Sequence, residues 1–227
     1  MRTLNTLQPG QTLLALLALL LGLTLSAGAA ASTPLEQALE AYEAGRLEQA
    51  ARGFAQLSRQ GLPLADYNLA MMHIRGELPR PDLAEARRLL ERAAARKLVR
   101  AQLALGQWHE QGLGQPAGSK PDLRQAAHWW GLAAAQGSVD GQVQLATAYY
   151  LGRGLPQDMG QAAHWYREAA KNGDVGAQYL IASMYESGLG VDRDLRLARY
   201  WYDIAARNGD EAAPAKLKDL DARLKGA

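Results

Sequence analysis

Four histidines are the first side chains in this sequence to consider as metal ligands. His73 and His109 lie 36 residues apart, and so do His128 and His164. A zinc site needs three or four ligands that converge at about 2 Å from the ion. The chain contains neither a His-x-x-x-His nor a His-Glu-x-x-His string. The equal spacing instead places each pair at one position of a repeated unit, so we predict no metal site and no cofactor.

The sequence also lacks the motifs of a nucleophilic or phosphate-binding enzyme. No Ser-x-x-Lys or Gly-x-Ser-x-Gly string occurs. The turn Gly112–Gly114 lacks the Gly-Lys-Ser/Thr ending of a phosphate loop and recurs along the chain. Charges nearly cancel, with 25 Lys+Arg against 23 Asp+Glu, and there is no cysteine for disulfides or thiolate ligands. We therefore predict a protein that is not an enzyme and that does not bind nucleic acid.

A period of 36 residues runs along the chain. Trp129, Trp165 and Trp201 follow one another at this interval. One four-residue insertion within Gln115–Pro121 explains the two longer steps of 40 residues, one in a glycine series and one in the aspartate series. The other markers are Gly76, Gly112, Gly152 and Gly188; Gly137, Gly173 and Gly209; and Asp82, Asp122, Asp158 and Asp194. A fixed period of this length predicts repeated units that must stack to bury their apolar faces.

Each unit contains two segments with helical periodicity. In the last unit Ala177–Ser187 has apolar residues at helical spacing, and Gly188 follows it. The side chain of Asp194 is predicted to cap the second helix, and Gly209 is predicted to adopt the left-handed conformation after that helix ends. Alanines near both ends of each second helix predict close helix contacts, and the three tryptophans would wedge between units.

The division of the chain follows from these patterns. We predict a secretory signal peptide at 1–31, a degenerate N-terminal helix pair at 32–64, repeats at 65–100, 101–140, 141–176 and 177–212, and a C-terminal cap at 213–227. The apolar run Leu13–Leu25 precedes small residues, which predicts cleavage after Ala29 or Ala31 and a periplasmic or secreted protein without stable membrane insertion. An uncleaved anchor is the alternative. The polar outer face of the cap is predicted to carry Lys216, Lys218, Asp219, Asp221, Arg223 and Lys225.

The repeated strings resemble the Sel-1-like repeat, a relative of the tetratricopeptide repeat. Those that carry the resemblance include Ala177-Gln178-Tyr179-Leu180, Gly188-Leu189-Gly190-Val191, Trp201-Tyr202 and Ala205-Ala206-Arg207-Asn208-Gly209. The resemblance implies an all-α, right-handed α-solenoid of stacked antiparallel helix pairs with a C-terminal capping helix. Some secreted relatives linked to β-lactam hydrolysis resemble one another through a cysteine pair in each repeat, which this chain lacks.

The resemblance also suggests where a partner would bind. In proteins similar to this one, ligands usually lie in the concave groove formed by the first helices of the units. The register places these partner-binding candidates there: Tyr67, Met71, Ile74, Arg75, Leu103, Gln107, Glu110, Gln111, Thr147, Tyr150, Tyr179, Ser183 and Glu186, with Val143, Leu151 and Ser187 on the same face. The alternative is that some of these side chains only pack between helices.

The leading hypothesis is an exported scaffold that holds another envelope protein or peptide in this groove. An enzyme or binder acting on cell-wall peptides or β-lactams is one alternative, and a structural, self-assembling repeat protein is another. The sequence leaves the oligomeric state open.

Overall fold

The computed structural model describes residues 32–116 and 119–225, and those residues form eleven α-helices and no strands. The helices are α1 (Pro34–Glu43), α2 (Leu47–Arg59), α3 (Pro63–Ile74), α4 (Leu83–Ala95), α5 (Val99–Gln111), α6 (Leu123–Ala135), α7 (Val139–Leu151), α8 (Met159–Lys171), α9 (Val175–Ser187), α10 (Leu195–Arg207) and α11 (Ala213–Lys225). The predicted signal peptide lies outside the described residues. None of the described helices has the length and apolarity needed to cross a membrane.

The helices form a stack of pairs. Each packs mainly against the helices that precede and follow it in the chain. The short turns between them make neighbours antiparallel. Odd-numbered helices α1 to α9 are the first helices of the units, and even-numbered helices α2 to α10 are the second helices. The structure is therefore an all-α solenoid, as the sequence predicts.

Side-chain caps and left-handed residues set the ends of the second helices. Asp82, Asp122, Asp158 and Asp194 each cap one of them. In α10, for example, the backbone N–H of Arg196 donates to Asp194 Oδ1 at 2.8 Å, which satisfies one of the donors that a helix start leaves free. At the other end, Gly209 has a φ of 97°. Both predictions from the sequence are confirmed here.

Alanines line the contacts between helices. The positions near the start and end of each second helix are fully buried at Ala86, Ala93, Ala126, Ala133, Ala162, Ala169, Ala198 and Ala205. A side chain of one methyl group allows two helix backbones to approach closely. The core is consequently a strip of small residues into which larger side chains insert at intervals.

The aromatic residue that inserts most deeply is not the one predicted. Trp129 and Trp165 are only half-buried, whereas the next residue in each helix, Trp130 or Tyr166, is buried. Trp201 is buried, but Tyr202 beside it is completely enclosed. The reason is helical geometry: Trp130 lies four residues after the buried Ala126 and shares its face, and a neighbouring position is rotated by about 100°.

Buried glutamines join successive units. Gln178 is 2% exposed; its Nε2 donates to the carbonyl of Ala170 in the preceding second helix at 3.2 Å, and its Oε1 accepts from Asn208 Nδ2 at 3.0 Å. Gln102 makes the same two kinds of contact, with Ala94 and Gln136. Each glutamine therefore bonds to a helix end in its own unit and to one in the unit before.

The C-terminal helix α11 takes the place that the first helix of a further unit would take. Asp210 Oδ1 accepts from the backbone N–H groups of Ala212 and Ala213, at 2.9 and 2.8 Å. Ala213 and Leu220 are fully buried against the last repeat. The same kind of capping and burial thus continues beyond the four repeats.

Candidate protein-binding surface

Twelve of the thirteen partner-binding candidates lie on α3, α5, α7 and α9, and Arg75 directly follows the end of α3. We call the surface that carries them the first-helix face. Arg75, Gln107 and Gln111 are exposed, and the other ten are half-buried. A half-buried side chain packs against its neighbours on one side and is open to contact on the other. The face therefore presents apolar and polar groups that are held in place by the fold.

Some of these side chains are already engaged within the protein. Thr147 Oγ1 lies 2.9 Å from the hydroxyl of Tyr166 in the next helix. Arg153 Nη2 donates to Glu110 Oε1 at 3.1 Å and neutralises its charge from the following unit. Contacts between helices and partial exposure to solvent are therefore combined in the same residues.

Glu186 is the candidate most strongly tied to the fold. Its carboxylate accepts hydrogen bonds from Tyr202 Oη at 3.0 Å, from Lys216 Nζ at 3.0 Å and from Arg223 Nη1 at 2.7 Å. Burial alone would raise the pKa of Glu186, but the hydrogen bonds from these residues outweigh burial and hold the pKa below its ordinary value. Burial and the bond to Glu186 raise the pKa of Tyr202.

This cluster corrects the expected orientation of α11. Lys216 and Arg223, assigned from the sequence to the polar outer face, reach inward to Glu186. Asp221 likewise pairs with Arg199 of α10 at 2.5 Å. Lys218, Asp219 and Lys225 are exposed as expected. The long, flexible side chains of lysine and arginine allow a residue near the edge of a helix to turn its charge toward a partly buried carboxylate.

Arg75 and Tyr42 connect the first repeat to the N-terminal helix pair. Arg75 Nη1 donates to Tyr42 Oη at 2.7 Å, and that hydroxyl donates to Glu77 Oε1 at 2.9 Å. Tyr42 was not predicted as part of the surface because it precedes the repeats that carry the pattern.

Two cavities open on the first-helix face. One, of about 50 Å³, lies between α1, α2 and α3 and is lined by Tyr42, Phe54, Asn68, Met71 and Arg75. The other, of about 210 Å³, lies between α5, α6 and α7 and is lined by Leu103, Gln107, Glu110, Trp130, Asp140 and Gln144. The structure thus brings five of the predicted residues to two cavities and adds neighbours that the register argument missed. Asn68 and Gln144 each follow a position of the predicted face by one residue, which is the signal that could have identified them.

A wider cavity of about 430 Å³ lies among α6, α7 and α8. Leu145, Tyr149, Leu155 and Trp165 contribute apolar surface to it. Gly131 lines this cavity and has no side chain to fill it. The equivalent position holds a larger residue in the other repeats: Glu91, Arg167 or Asp203.

Two of the four histidines, His73 and His109, are engaged within the repeat structure. His73 Nδ1 accepts the backbone N–H of Asp82 at 3.0 Å. His109 is 7% exposed; burial, with a smaller effect of the positive charge of Arg87, lowers its pKa. Within the described parts of the chain no group of three or more His, Asp or Glu side chains could hold a metal ion.

The sequence pattern of the Sel1 repeat matches four consecutive segments, residues 63–98, 99–138, 139–174 and 175–210. Each matched segment begins two residues before the repeat predicted from the sequence, for example at residue 63 where the first repeat was predicted to begin at residue 65. Together they cover more than half of the 227 residues. No protein of curated function matches the chain.

Two crystal structures are similar in fold and sequence. One is c5321, a protective antigen present in uropathogenic Escherichia coli strains and displaying an SLR fold; the identity is 32%, the TM-score is 0.73, and the match covers 82% of this chain and 40% of that one. The other is a Sel1 repeat protein from Oxalobacter formigenes, with 31% identity, a TM-score of 0.68, and coverage of 76% of this chain and 49% of that one. The chain thus spans less than half the length of either protein.

Proposed function

The chain belongs to the Sel1 repeat family, whose members are generally scaffolds for protein–protein interaction, and we propose that it is an exported scaffold that binds an envelope protein or peptide along its first-helix face. Its activity lies in binding, without a catalytic step. Export rests on the apolar run Leu13–Leu25 and the small residues after it.

One observation carries the choice of surface. Equivalent positions of successive first helices hold half-buried aromatic or aliphatic side chains, among them Tyr67, Leu103 and Tyr179. Such side chains lose little conformational entropy on binding, because the fold already holds them. The carboxylates of Glu110 and Glu186 are neutralised by arginine or lysine. A partner therefore meets mostly uncharged surface, as the core of a protein interface requires.

Capture from an envelope extract tests this proposal. The bait is the exported protein, compared with a variant in which Tyr67, Tyr150 and Tyr179 are changed to alanine. We expect the wild type to retain one reproducible partner, and the variant to lose it while keeping its helical circular dichroism spectrum. A matched control changes three exposed side chains of the second helices, Leu83→Ala, Leu197→Ala and Tyr200→Ala, and should retain the partner.

The outcomes separate the parts of the proposal. A partner lost only by the control variant would move the site to the second helices. The absence of any saturable partner would remove the scaffold function. N-terminal sequencing of the purified protein tests export: a chain that begins after Ala29 or Ala31 is expected, and a full-length chain in the cytoplasmic fraction would contradict it.

A further inference from the structure

The cavity of about 430 Å³ among α6, α7 and α8 lies apart from the first-helix face, and none of the thirteen partner-binding candidates lines it. Each of the three helices contributes two side chains that are four residues apart and therefore share one face of the helix. These pairs are Arg124 and His128 on α6, Leu145 and Tyr149 on α7, and Gln161 and Trp165 on α8. The cavity is thus a groove between the second helices of two adjacent units.

Gly131 leaves Tyr149 without a neighbour that the equivalent tyrosine has. In the next repeat Arg167 takes the position of Gly131, and its Nη1 donates to the hydroxyl of Tyr185 at 3.3 Å. Tyr185 in turn takes the position of Tyr149. No described residue forms a hydrogen bond with the Tyr149 hydroxyl. The missing side chain therefore leaves both an open volume and an unused hydroxyl group.

The charge around the cavity favours an anion. No Asp or Glu is among the described residues that line it, and Arg124 forms no ion pair within the described parts of the chain. The corresponding surface of α4 differs, because Glu91 takes the position of Gly131 there and pairs with Arg87. A guanidinium group matches the geometry of a carboxylate, which accepts two parallel hydrogen bonds from it.

Arg124 and Tyr149 lie at the same end of the cavity. A Cβ built on Gly154 would lie 2.8 Å from the backbone nitrogen of Arg124, so the turn after α7 touches the start of α6. The guanidinium of Arg124 and the hydroxyl of Tyr149 can therefore act on one ligand group.

The remaining lining selects an aromatic ligand. The indole of Trp165 is half-buried, and Leu132, Leu145 and Leu155 add aliphatic surface. Aromatic rings pack well on one another in offset or edge-to-face contact. Sites for small molecules typically have volumes of about 300–1,000 Å³, with mostly apolar walls and a few polar groups. This cavity has that size and that composition.

We propose that the cavity among α6, α7 and α8 binds a small aromatic carboxylate, with its ring against Trp165 and Leu145 and its carboxylate held by Arg124 and the Tyr149 hydroxyl. The site is a second binding site, and it does not depend on the proposed function.

The probe is 2-naphthoate, and two analogues keep its ring and change its charge: 2-naphthalenemethanol and 2-naphthylmethylammonium. Isothermal titration calorimetry on the purified protein should show one saturable site for 2-naphthoate. We expect the alcohol to bind about tenfold more weakly, because it lacks the charge-assisted hydrogen bonds of the carboxylate, and the ammonium ion not to bind. The indole N–H NMR signal of Trp165 should shift when 2-naphthoate is added.

Gly131→Arg tests the volume of the cavity. A Cβ at this position lies no closer than 4.0 Å to Leu145 Cδ2, and arginine is the better helix former, so the variant should fold. We expect it to lose 2-naphthoate binding, because the new side chain fills the space as Arg167 does in the next repeat. The added positive charge by itself would strengthen binding of an anion, so a loss reports on volume.

Arg124→Gln tests the charge. It should weaken 2-naphthoate binding about tenfold and leave binding of the alcohol unchanged, because only the carboxylate uses the guanidinium. The matched control is Arg196→Gln, which changes an exposed arginine at the equivalent position of the fourth repeat and should bind as the wild type does.

Four results would overturn the inference. The first is a folded wild type without a saturable site for 2-naphthoate, and the second is undiminished binding by Gly131→Arg. Equal affinities for 2-naphthoate and the alcohol, unchanged in Arg124→Gln, would show that no anion is recognised. Loss of the captured protein partner, or of self-association measured by light scattering, in Gly131→Arg would assign the cavity to a protein side chain instead.

Discussion

Two glycines in the fourth repeat have left-handed backbones but different surroundings. Gly190 has a φ of 72°, and a Cβ built on it would overlap the carbonyl oxygen of Met159 in the preceding unit. Gly209 has a φ of 97°, and nothing lies within 4 Å of a Cβ at that position. Of these two, Gly190 alone is required both by its backbone conformation and by a close approach between units, as Gly154 is in the preceding repeat.

Alanine substitutions should separate these two requirements. Gly209→Ala is expected to cost about 1 kcal/mol of unfolding free energy, from the left-handed conformation alone. Gly190→Ala should cost about 3 kcal/mol or more, because a backbone carbonyl cannot rotate away as a side chain could. Urea denaturation of both variants measures the difference. Equal losses would mean that the turn shifts to accept the methyl group.

The environment of His109 predicts a pH dependence of stability. The unfolded chain takes up a proton near the ordinary histidine pKa of about 6.5, whereas burial lowers the pKa in the folded protein. The unfolded state therefore binds more protons, and stability falls as the pH drops below about 6.5. His109→Tyr, which introduces the residue found at Tyr149 and Tyr185, should reduce this loss between pH 7.5 and pH 5 in urea titrations. The exposed His128→Gln is the control; an unchanged slope in His109→Tyr would contradict the assignment.

At the scale of the helices, the buried glutamines hold neighbouring units in register. In the first repeat, the position equivalent to these glutamines holds an aspartate. Asp66 is fully buried and accepts a hydrogen bond from Arg92 Nε at 2.7 Å. Arg92 also donates to Ser58 Oγ, at 2.5 Å, in the N-terminal pair. The ion pair between Asp66 and Arg92 thus lies within the first repeat, and the hydrogen bond from Arg92 to Ser58 joins that repeat to the degenerate pair.

Gln178→Met should weaken the junction of the third and fourth repeats. The substitution keeps the volume and removes both amide bonds, leaving the carbonyl of Ala170 and the amide of Asn208 without this partner. We expect a loss of about 1–3 kcal/mol, the cost of buried polar groups left unpaired. The rate of backbone amide hydrogen exchange should increase more in α8 to α10 than in α3 and α4, because each unit contacts only its neighbours. A uniform rise along the chain would contradict local coupling.

At the scale of the whole molecule, α11 is attached to the last repeat partly by charge. The side chain of Glu186 is 14% exposed and pairs with both Lys216 and Arg223 of α11. These contacts fix the C-terminal end of the stack and engage one residue of the first-helix face. The partner-binding role predicted for Glu186 would therefore compete with the attachment of α11.

Acid should release this attachment. Because the pKa of Glu186 is lowered in the folded protein, its stabilisation is complete above the unfolded pKa of about 4.3 and is lost as the pH falls through the lower folded value. Glu186→Gln should cost about 1 kcal/mol at pH 7, a small value because Lys216 and Arg223 are partly exposed to solvent.

Hydrogen exchange of α11 in wild type and variant provides the measurement. We expect faster exchange in Glu186→Gln at neutral pH and a smaller change on acidification to pH 3.5. The exposed Glu211→Gln is the matched control. Similar exchange in all three proteins at both pH values would show that apolar burial alone holds α11.

Much of this architecture could be predicted from the sequence because the interactions that define it are local. The cap at Asp194 involves residues two and three positions away, and the left-handed Gly209 follows directly from the end of its helix. The 36-residue period then requires stacking, since one helix pair cannot bury its apolar face alone.

Only the tertiary structure decided which side chains of the first-helix face are engaged in ion pairs or hydrogen bonds within the protein. Glu110 is neutralised by Arg153, 43 positions later, and Glu186 by Arg223, 37 positions later. Such contacts join different units, so their distances follow from the angle and separation of packed helices, which a one-dimensional pattern does not contain.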